Sequence, residues 1–407
     1  MGIQGLRTFV SLNHDRLVEE RHLYGTKLVI DGNILIHHLY YSAGLECAYG
    51  GDYDRYAMEI RHYFGLFKAC SVEAIVVFDG GHVVSDTKLE RRLHSMRDRL
   101  STTSEVARTG KPTKILPCLA NGVFKDVIRQ LGVRMLQCRF EADEEIAAIA
   151  NHFGCPVASQ DSDFYIFDVA GGFIRLDSID KAPSTTSIGG VKVQSLFCHM
   201  YHVRNLLILF PGLDPQLLPL FPSLVGNDYV IRGTFGVFLS RLELPEVCEL
   251  KSNGRQQQTN IINLLHWMQT VTSKEDAISQ VLATVKSEDR DLKEKLLRAS
   301  VASYAAFTSG FVSSFERGSR LELLDSSGAP YPRWFAELFF SCEMNSDLLN
   351  VTAARKVFHY PQIECSSMPS SYACSLPLRK VLFGLALGPE EGSDVTIEVF
   401  ERDGEDL

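Results

Sequence analysis

Over the first 230 residues, short apolar runs alternate with stretches whose apolar positions recur every three or four residues. Lys27–Ile30, Val133–Leu136, Cys155–Ala158 and Phe173–Leu176 read as strands. Ala74–Phe78 is apolar throughout, which suits a strand covered on both faces of a parallel sheet. Between them the helical spacing falls on Asn33–Tyr41, Tyr56–Ala69, Asn121–Leu131 and Glu144–His152. This alternation predicts an α/β fold, a parallel sheet flanked by helices. From residue 231 the pattern changes. Ala277–Ser300, rich in Lys, Glu, Leu and Ala, reads as a helix, and Trp334–Phe340 and Ala353–Phe358 as further helices, whereas Gln256–Asn260 and Ser366–Ser371 read as polar loops. The organisation expected is an α/β domain over residues 1–230 and a mainly helical C-terminal region over 231–407. The chain ends on VTIEVFERDGEDL, an alternating strand with nothing after it, which points to a natural protein that runs further.

Composition narrows the class. Hydrophobic residues make up 45% and charged ones 22%, which supplies a folded core and argues against disorder. The ten cysteines include no CxxC pair, so structural zinc is not indicated and reduced thiols inside a cell are expected. The N-terminus MGIQGLRTF lacks a signal-peptide pattern, and no apolar stretch is long enough to span a bilayer. A net charge of −9 argues against a generally basic nucleic-acid surface, so any grip on phosphates must come from local basic stripes.

Acidic residues recur where strands end. Asp31 closes LVID and Asp79 closes IVVFD; Glu141 and Asp143 lie in FEADEE, and Asp161 and Asp163 in SQDSD. Strand ends of a parallel sheet converge on the edge where α/β proteins bind ligands. Carboxylates gathered there repel one another unless cations hold them, and Mg²⁺ or Mn²⁺ is the economical choice for oxygen ligands. A site with two such ions cleaves phosphodiesters. Each cluster also has a plainer reading. Asp31 and Asp79 each precede glycine, as turn residues or helix caps do. Glu141 and Asp143 straddle a helix start, where acidic capping alone would place them. Asp161 and Asp163, if extended, face one side and one metal together, and the plainer reading is a solvated turn. Asp228, in VGNDY, is a seventh candidate.

These residues carry a family resemblance. MGIQGL, VIDGN, VFDGG, EADEE and SQDSD, in this order, resemble the flap endonuclease superfamily, which includes the xeroderma pigmentosum group G nuclease and has a PIN-like fold. HYPQIEC and SLPLRKVLFGL resemble its asteroid homolog subgroup. The resemblance implies one metal site lined by Asp31, Asp79, Glu141 and Asp143, and a second by Asp161, Asp163 and Asp228. It implies that Gly2, freed by removal of Met1, lies beside them. The substrate class it implies is DNA, branched or single-stranded, and with it DNA-repair protein partners and a nuclear site of action. Two departures stand out. The Gly-rich helix–two-turn–helix that grips duplex DNA is not recognisable after Asp228, where the chain reads YVIRGTFGVFL. The segment for the helical arch, from Gly80 to Pro117, is short, though it contains the candidate helix TKLERRLHSMRDRL. There Leu89, Leu93, Met96 and Leu100 form an apolar stripe with Lys88, Arg91, Arg92 and Arg99 beside it, a phosphate clamp or an ordinary solvated face. Lys88 and Arg92 are the candidate clamp residues. His37 and Tyr40 are candidates for stacking on a base, or packed core aromatics.

Three functions follow. The first is a metal-dependent, structure-selective DNA endonuclease acting on single strands or overhangs, with two Mg²⁺ or Mn²⁺ ions, in DNA repair. The second is a catalytically silent PIN-like scaffold binding protein or RNA. The third is a magnesium-dependent phosphatase, disfavoured because the first strand ends in DGN rather than a DxD motif.

Overall fold

The structure, a computed structural model, describes residues 2–48, 50–82, 89–111, 113–243, 250–304, 309–318, 320–325, 328–388, 395–403 and 406. Ten strands occur among them: β1 (Val18–Leu23), β2 (Lys27–Asp31), β3 (Glu73–Phe78), β4 (Arg134–Gln137), β5 (Val157–Ser159), β6 (Phe173–Arg175), β7 (Ser184–Ile188), β8 (Val191–Tyr201), β9 (Lys356–Phe358) and β10 (Glu398–Phe400). The fold is α/β, with parallel strands flanked by helices, as the alternation predicts. Its two compact units are interleaved in sequence. The first comprises Met1–Val29, Cys70–Val72 and Asp143–Ser309, and the second Ile30–Ala69, Glu73–Ala142 and Gly310–Leu407. They therefore do not follow the compositional change at residue 231.

In the first unit the strand order is β1-β8-β6-β5. β5 and β6 run parallel, with Val157 opposite Phe173, while β8 pairs antiparallel with both β6 and β1. β7 folds back on β8 through the turn between Ile188 and Val191. β1 and β7 escape the hydrophobic reading because VEERHL and STTSI carry too few apolar residues to show a period of two. The helix Asp143–Phe153 buries Ile146, Ala147, Ile149 and Ala150. The helix Leu220–Val225 is buried along its whole length, and Arg290–Ala302 packs on it through Leu297, Ser300 and Val301. Gln256–Asn260 corrects the sequence reading: it opens the helix Gln256–Met268, whose apolar anchors Ile261, Ile262, Leu264 and Leu265 lie further on.

The second unit takes in the end of β2 (Ile30 and Asp31) together with β3 and β4. β3 is buried from Ala74 to Phe78 and runs parallel to β4. The helices Tyr53–Ala69 and Ala120–Gln130 cover it, with the Phe124 ring 6.2 Å from Phe64 and 6.1 Å from Phe78. The basic helix runs from Leu89 to Thr109, with Met96 and Leu100 buried as the apolar stripe requires. Ala353–Phe358 is not a helix. The helical turn Asn350–Ala354 stops at Arg355, whose φ is 56°, and β9 follows, paired in parallel with β10 near the end of the chain. The terminal segment thus forms the strand its alternation predicts. HYPQIEC and SLPLRKVLFGL belong to this unit and are cross-braced: Glu364 pairs with buried Arg402 at 2.9 Å, Arg379 with Glu401 at 2.9 Å, and His359 stacks on Tyr372 at 4.8 Å.

Candidate carboxylate sites

Each acidic residue occupies its position for a local reason. In the second unit, Asp31 ends β2 and caps the following helix, its Oδ1 accepting from the Ile34 N–H at 3.0 Å. Asp79 follows β3. Its Oδ1 accepts from the Ala142 N–H at 2.9 Å and its Oδ2 from the Asn33 side chain at 2.8 Å. Asn33 also accepts from the Asp79 N–H at 3.2 Å. The strand ends β2 and β3 are thus tied by a two-way bond through Asn33. Sequence reasoning missed that residue, although it stands in the VIDGN motif. The Gly80 N–H donates to Phe140 O at 2.7 Å and the Gly81 N–H to Arg139 O at 2.9 Å, which fixes the chain leaving β4 just before Glu141. Asp31 is buried, whereas Asp79 and Glu141 are exposed.

In the first unit, Asp143 is the first residue of the helix Asp143–Phe153, where the helix dipole favours its charge. Asp161 and Asp163 do not meet in extended chain. Asp161 is extended and caps a 3₁₀ turn over Ser162–Tyr165, accepting from the Asp163 N–H at 3.2 Å. The Asp161 N–H in turn donates to Ser159 Oγ at 3.0 Å. The two carboxylates are 9% and 8% exposed. Burial raises the Asp161 carboxyl above its ordinary value against the bond from Asp163, and the Asp228 carboxylate raises it further. Asp228 is therefore close enough to act on this pair, which spacing in the sequence left open.

Gly2 packs directly on them. At its φ of +83°, a Cβ would lie 2.1 Å from Asp161 Oδ1, 2.5 Å from Ser162 Oγ and 2.9 Å from Asp163 Oδ1. Glycine is the residue that fits. Two bonds hold the segment: Ser162 Oγ donates to Ile3 O at 3.2 Å and the Gln4 N–H to Gly226 O at 3.1 Å.

Among the described residues no three His, Cys, Asp or Glu side chains form a ready cage for an ion. The donor set of the first unit, Asp161, Asp163 and Asp228, nevertheless suits a hard divalent cation. It is all oxygen, and Gly2 leaves the space beside Asp161 Oδ1 and Asp163 Oδ1 free of a side chain.

The basic candidates separate. Lys88 lies outside the described residues, as does the side chain of Arg91. Arg92 places its guanidinium 4.9 Å over the Phe358 ring. Arg99 is turned inward, donating to Pro361 O at 2.7 Å and Leu116 O at 3.1 Å. Tyr40 is a core aromatic with its hydroxyl on Glu46 O, while His37 is exposed beside Tyr41. After Asp228 the first helical element is the four-residue Gly236–Leu239, which does not supply a long duplex-gripping helix.

Residues 1–100 match the family described as the XPG N-terminal domain. The chain is 31% identical over 399 residues to a mouse (Mus musculus) protein named single-strand DNA endonuclease ASTE1, covering 97% of this chain and 58% of that one. It is 32% identical over 403 residues to the human (Homo sapiens) protein of the same name, covering 97% of this chain and 57% of that one. The chain is similar to these asteroid homolog proteins over nearly its whole length, and it spans a little over half the length of each. A solved structure of the catalytic core of Rad2 in complex with DNA substrate shares 14% identity at a TM-score of 0.39, covering 78% of this chain and 96% of that one. No helix among the described residues is long and apolar enough to cross a membrane.

Proposed function

We propose that the chain is a metal-dependent endonuclease that hydrolyses phosphodiester bonds in single-stranded or overhanging DNA, acting in DNA repair in the nucleus. The observation that carries this reading is Gly2. Its backbone lies so close to the buried carboxylates of Asp161 and Asp163, at a positive φ, that no side chain stands between the N-terminal segment and their oxygens. Kinship along nearly the whole chain with proteins named single-strand DNA endonuclease supplies the substrate class. In this reading Asp161, Asp163 and Asp228 hold one Mg²⁺ or Mn²⁺ ion, and Asp31, Asp79, Glu141 and Asp143 serve the other. Bound ions supply the charge that activates a water for in-line attack and stabilises the leaving oxygen.

The residues of the chain do the rest. Asn33 and the Ala142 N–H fix both oxygens of Asp79. The 3₁₀ turn presents Asp161 and Asp163 on one short segment. Lys88 and Arg92 hold the phosphates of the strand, and His37 offers an exposed ring for stacking. Asp161→Ala or Asp79→Ala, assayed on single-stranded DNA with Mn²⁺, is expected to lower cleavage by orders of magnitude in a folded protein. Full cleavage by both variants would remove these carboxylates from the assignment, and no cleavage by the wild type would favour a silent scaffold.

A further inference from the structure

The Asp163 carboxylate stands at the end of a buried hydrogen-bond chain that begins far away in sequence. Tyr304 follows the helix Arg290–Ala302, and its hydroxyl donates to Asp163 Oδ2 at 2.9 Å. Asn227, fully buried and next to Asp228, reaches the Tyr304 hydroxyl at 3.3 Å and Ser300 Oγ at 2.9 Å through its side-chain amide. Ser300 and Ser223 exchange a bond of 2.7 Å between the two packed helices. The Asn227 oxygen accepts from the Tyr229 and Val230 N–H groups at 2.9 and 2.8 Å, which fixes the loop carrying Asp228. One network thus holds the Asp163 carboxylate and the loop of Asp228 together. Its root lies on a helix of the C-terminal region, outside every acidic motif.

We propose that Tyr304 is a positioning residue for the metal ligand Asp163. This rests on the metal-dependent reading above. The hydroxyl engages Oδ2, which leaves Oδ1 on the side of Gly2 and Asp161, where a Gly2 Cβ would lie 2.9 Å from it. A neutral donor orients the carboxylate without cancelling its charge, so the attraction for a cation is kept while the rotamer is fixed. Partners of this kind, one bond removed from a metal ligand, are worth 10–100-fold in metal affinity. Asn227 fixes the tyrosine in turn, so Tyr304 acts through Asp163 rather than on substrate.

The test is Mn²⁺ binding to the full chain by calorimetry, without DNA, for wild type, Tyr304→Phe and Val301→Ala. Val301 lies on the helix that precedes Tyr304 and is 3% exposed, so its truncation opens a cavity and removes no polar group. Both variants are expected to melt at a lower temperature. Mn²⁺ affinity is expected to fall about 10–100-fold for Tyr304→Phe and to stay within about twofold for Val301→Ala. Adding Tyr304→Phe to Asp163→Asn is expected to cause no further loss, since the ligand it positions has gone. Unchanged affinity in Tyr304→Phe, or an equal loss in Val301→Ala, would overturn the assignment and reduce Tyr304 to a core residue. Absence of Mn²⁺ binding by the wild type would instead overturn the metal-dependent reading itself.

Discussion

Replacing Gly2 by alanine tests the carboxylate pair with one methyl group. The new Cβ would lie 2.1 Å from Asp161 Oδ1, where an ordinary contact needs about 3.5 Å, so a shift of about 1.4 Å is required. A displacement of about 1 Å at a reacting centre costs on the order of 100-fold in rate, or about 2.7 kcal/mol of transition-state stabilisation. Two further costs fall on stability. The left-handed backbone at φ +83° costs alanine about 1–2 kcal/mol, and overpacking adds about 1–3 kcal/mol. Gly25→Ala is the control. It carries the same backbone penalty at φ +53° but has nothing within 4 Å of the added methyl. Initial rates on single-stranded DNA with Mn²⁺ and thermal melts of both variants are to be compared with wild type. Gly2→Ala is expected to lose at least about 100-fold in rate, and Gly25→Ala to melt lower while keeping its rate. A Gly2→Ala protein with native rate and melting temperature would refute the placement of the N-terminal segment on the carboxylates, and with it the role given to Gly2.

Three other outcomes are expected. Reversing the charges of Lys88 and Arg92 together should weaken binding to single-stranded DNA and reduce its salt slope by about 1–2, read from fluorescence anisotropy across salt concentrations; an unchanged slope makes the helix an ordinary solvated face. Asn33→Ala leaves Asp79 without its side-chain donor and should cut the cleavage rate about 10–100-fold at little cost in melting temperature, whereas an equal rate would show that Asp79 needs no such brace. Asp347 offers a pH-dependent test. Burial raises its carboxyl above the ordinary range, although His359 and the Asn350 side chain oppose this. A raised acid stabilises the fold below its unfolded pKa and loses that contribution as pH rises through the folded one. Asp347→Asn should therefore raise the melting temperature near pH 8 and change it less near pH 4, and the opposite trend in pH-stepped melts would contradict the sign.

The parts of the fold legible in the sequence are those where burial imposes a pattern. β2, β3 and the helices that cover β3 show it because both faces or one full stripe must be apolar. β1 and β7 do not, because antiparallel strands with exposed positions tolerate Glu, Arg, Thr and Ser. Gln256–Met268 was hidden by its polar first turn, and β9 by a run whose apolar residues fit either period. At the site, the acidic residues stood out because strand ends are punctuated by turns. Their supports did not. Tyr304 lies 141 residues from Asp163, and the reciprocal bond between Asn33 and Asp79 spans 46. Such contacts are made by tertiary packing and leave no local period to read.

The most direct measurement compares initial rates on a blunt duplex and on the same duplex carrying a long single-stranded tail, with Mn²⁺, for wild type and Asp161→Asn. A flexible strand brings its phosphates to buried carboxylates without distortion, whereas paired DNA must first be unstacked. The account predicts wild-type cleavage within the tail, little cleavage of the blunt duplex and none by Asp161→Asn. Equal rates on the two DNAs would contradict the single-strand preference, and undiminished cleavage by Asp161→Asn would contradict the carboxylate site itself.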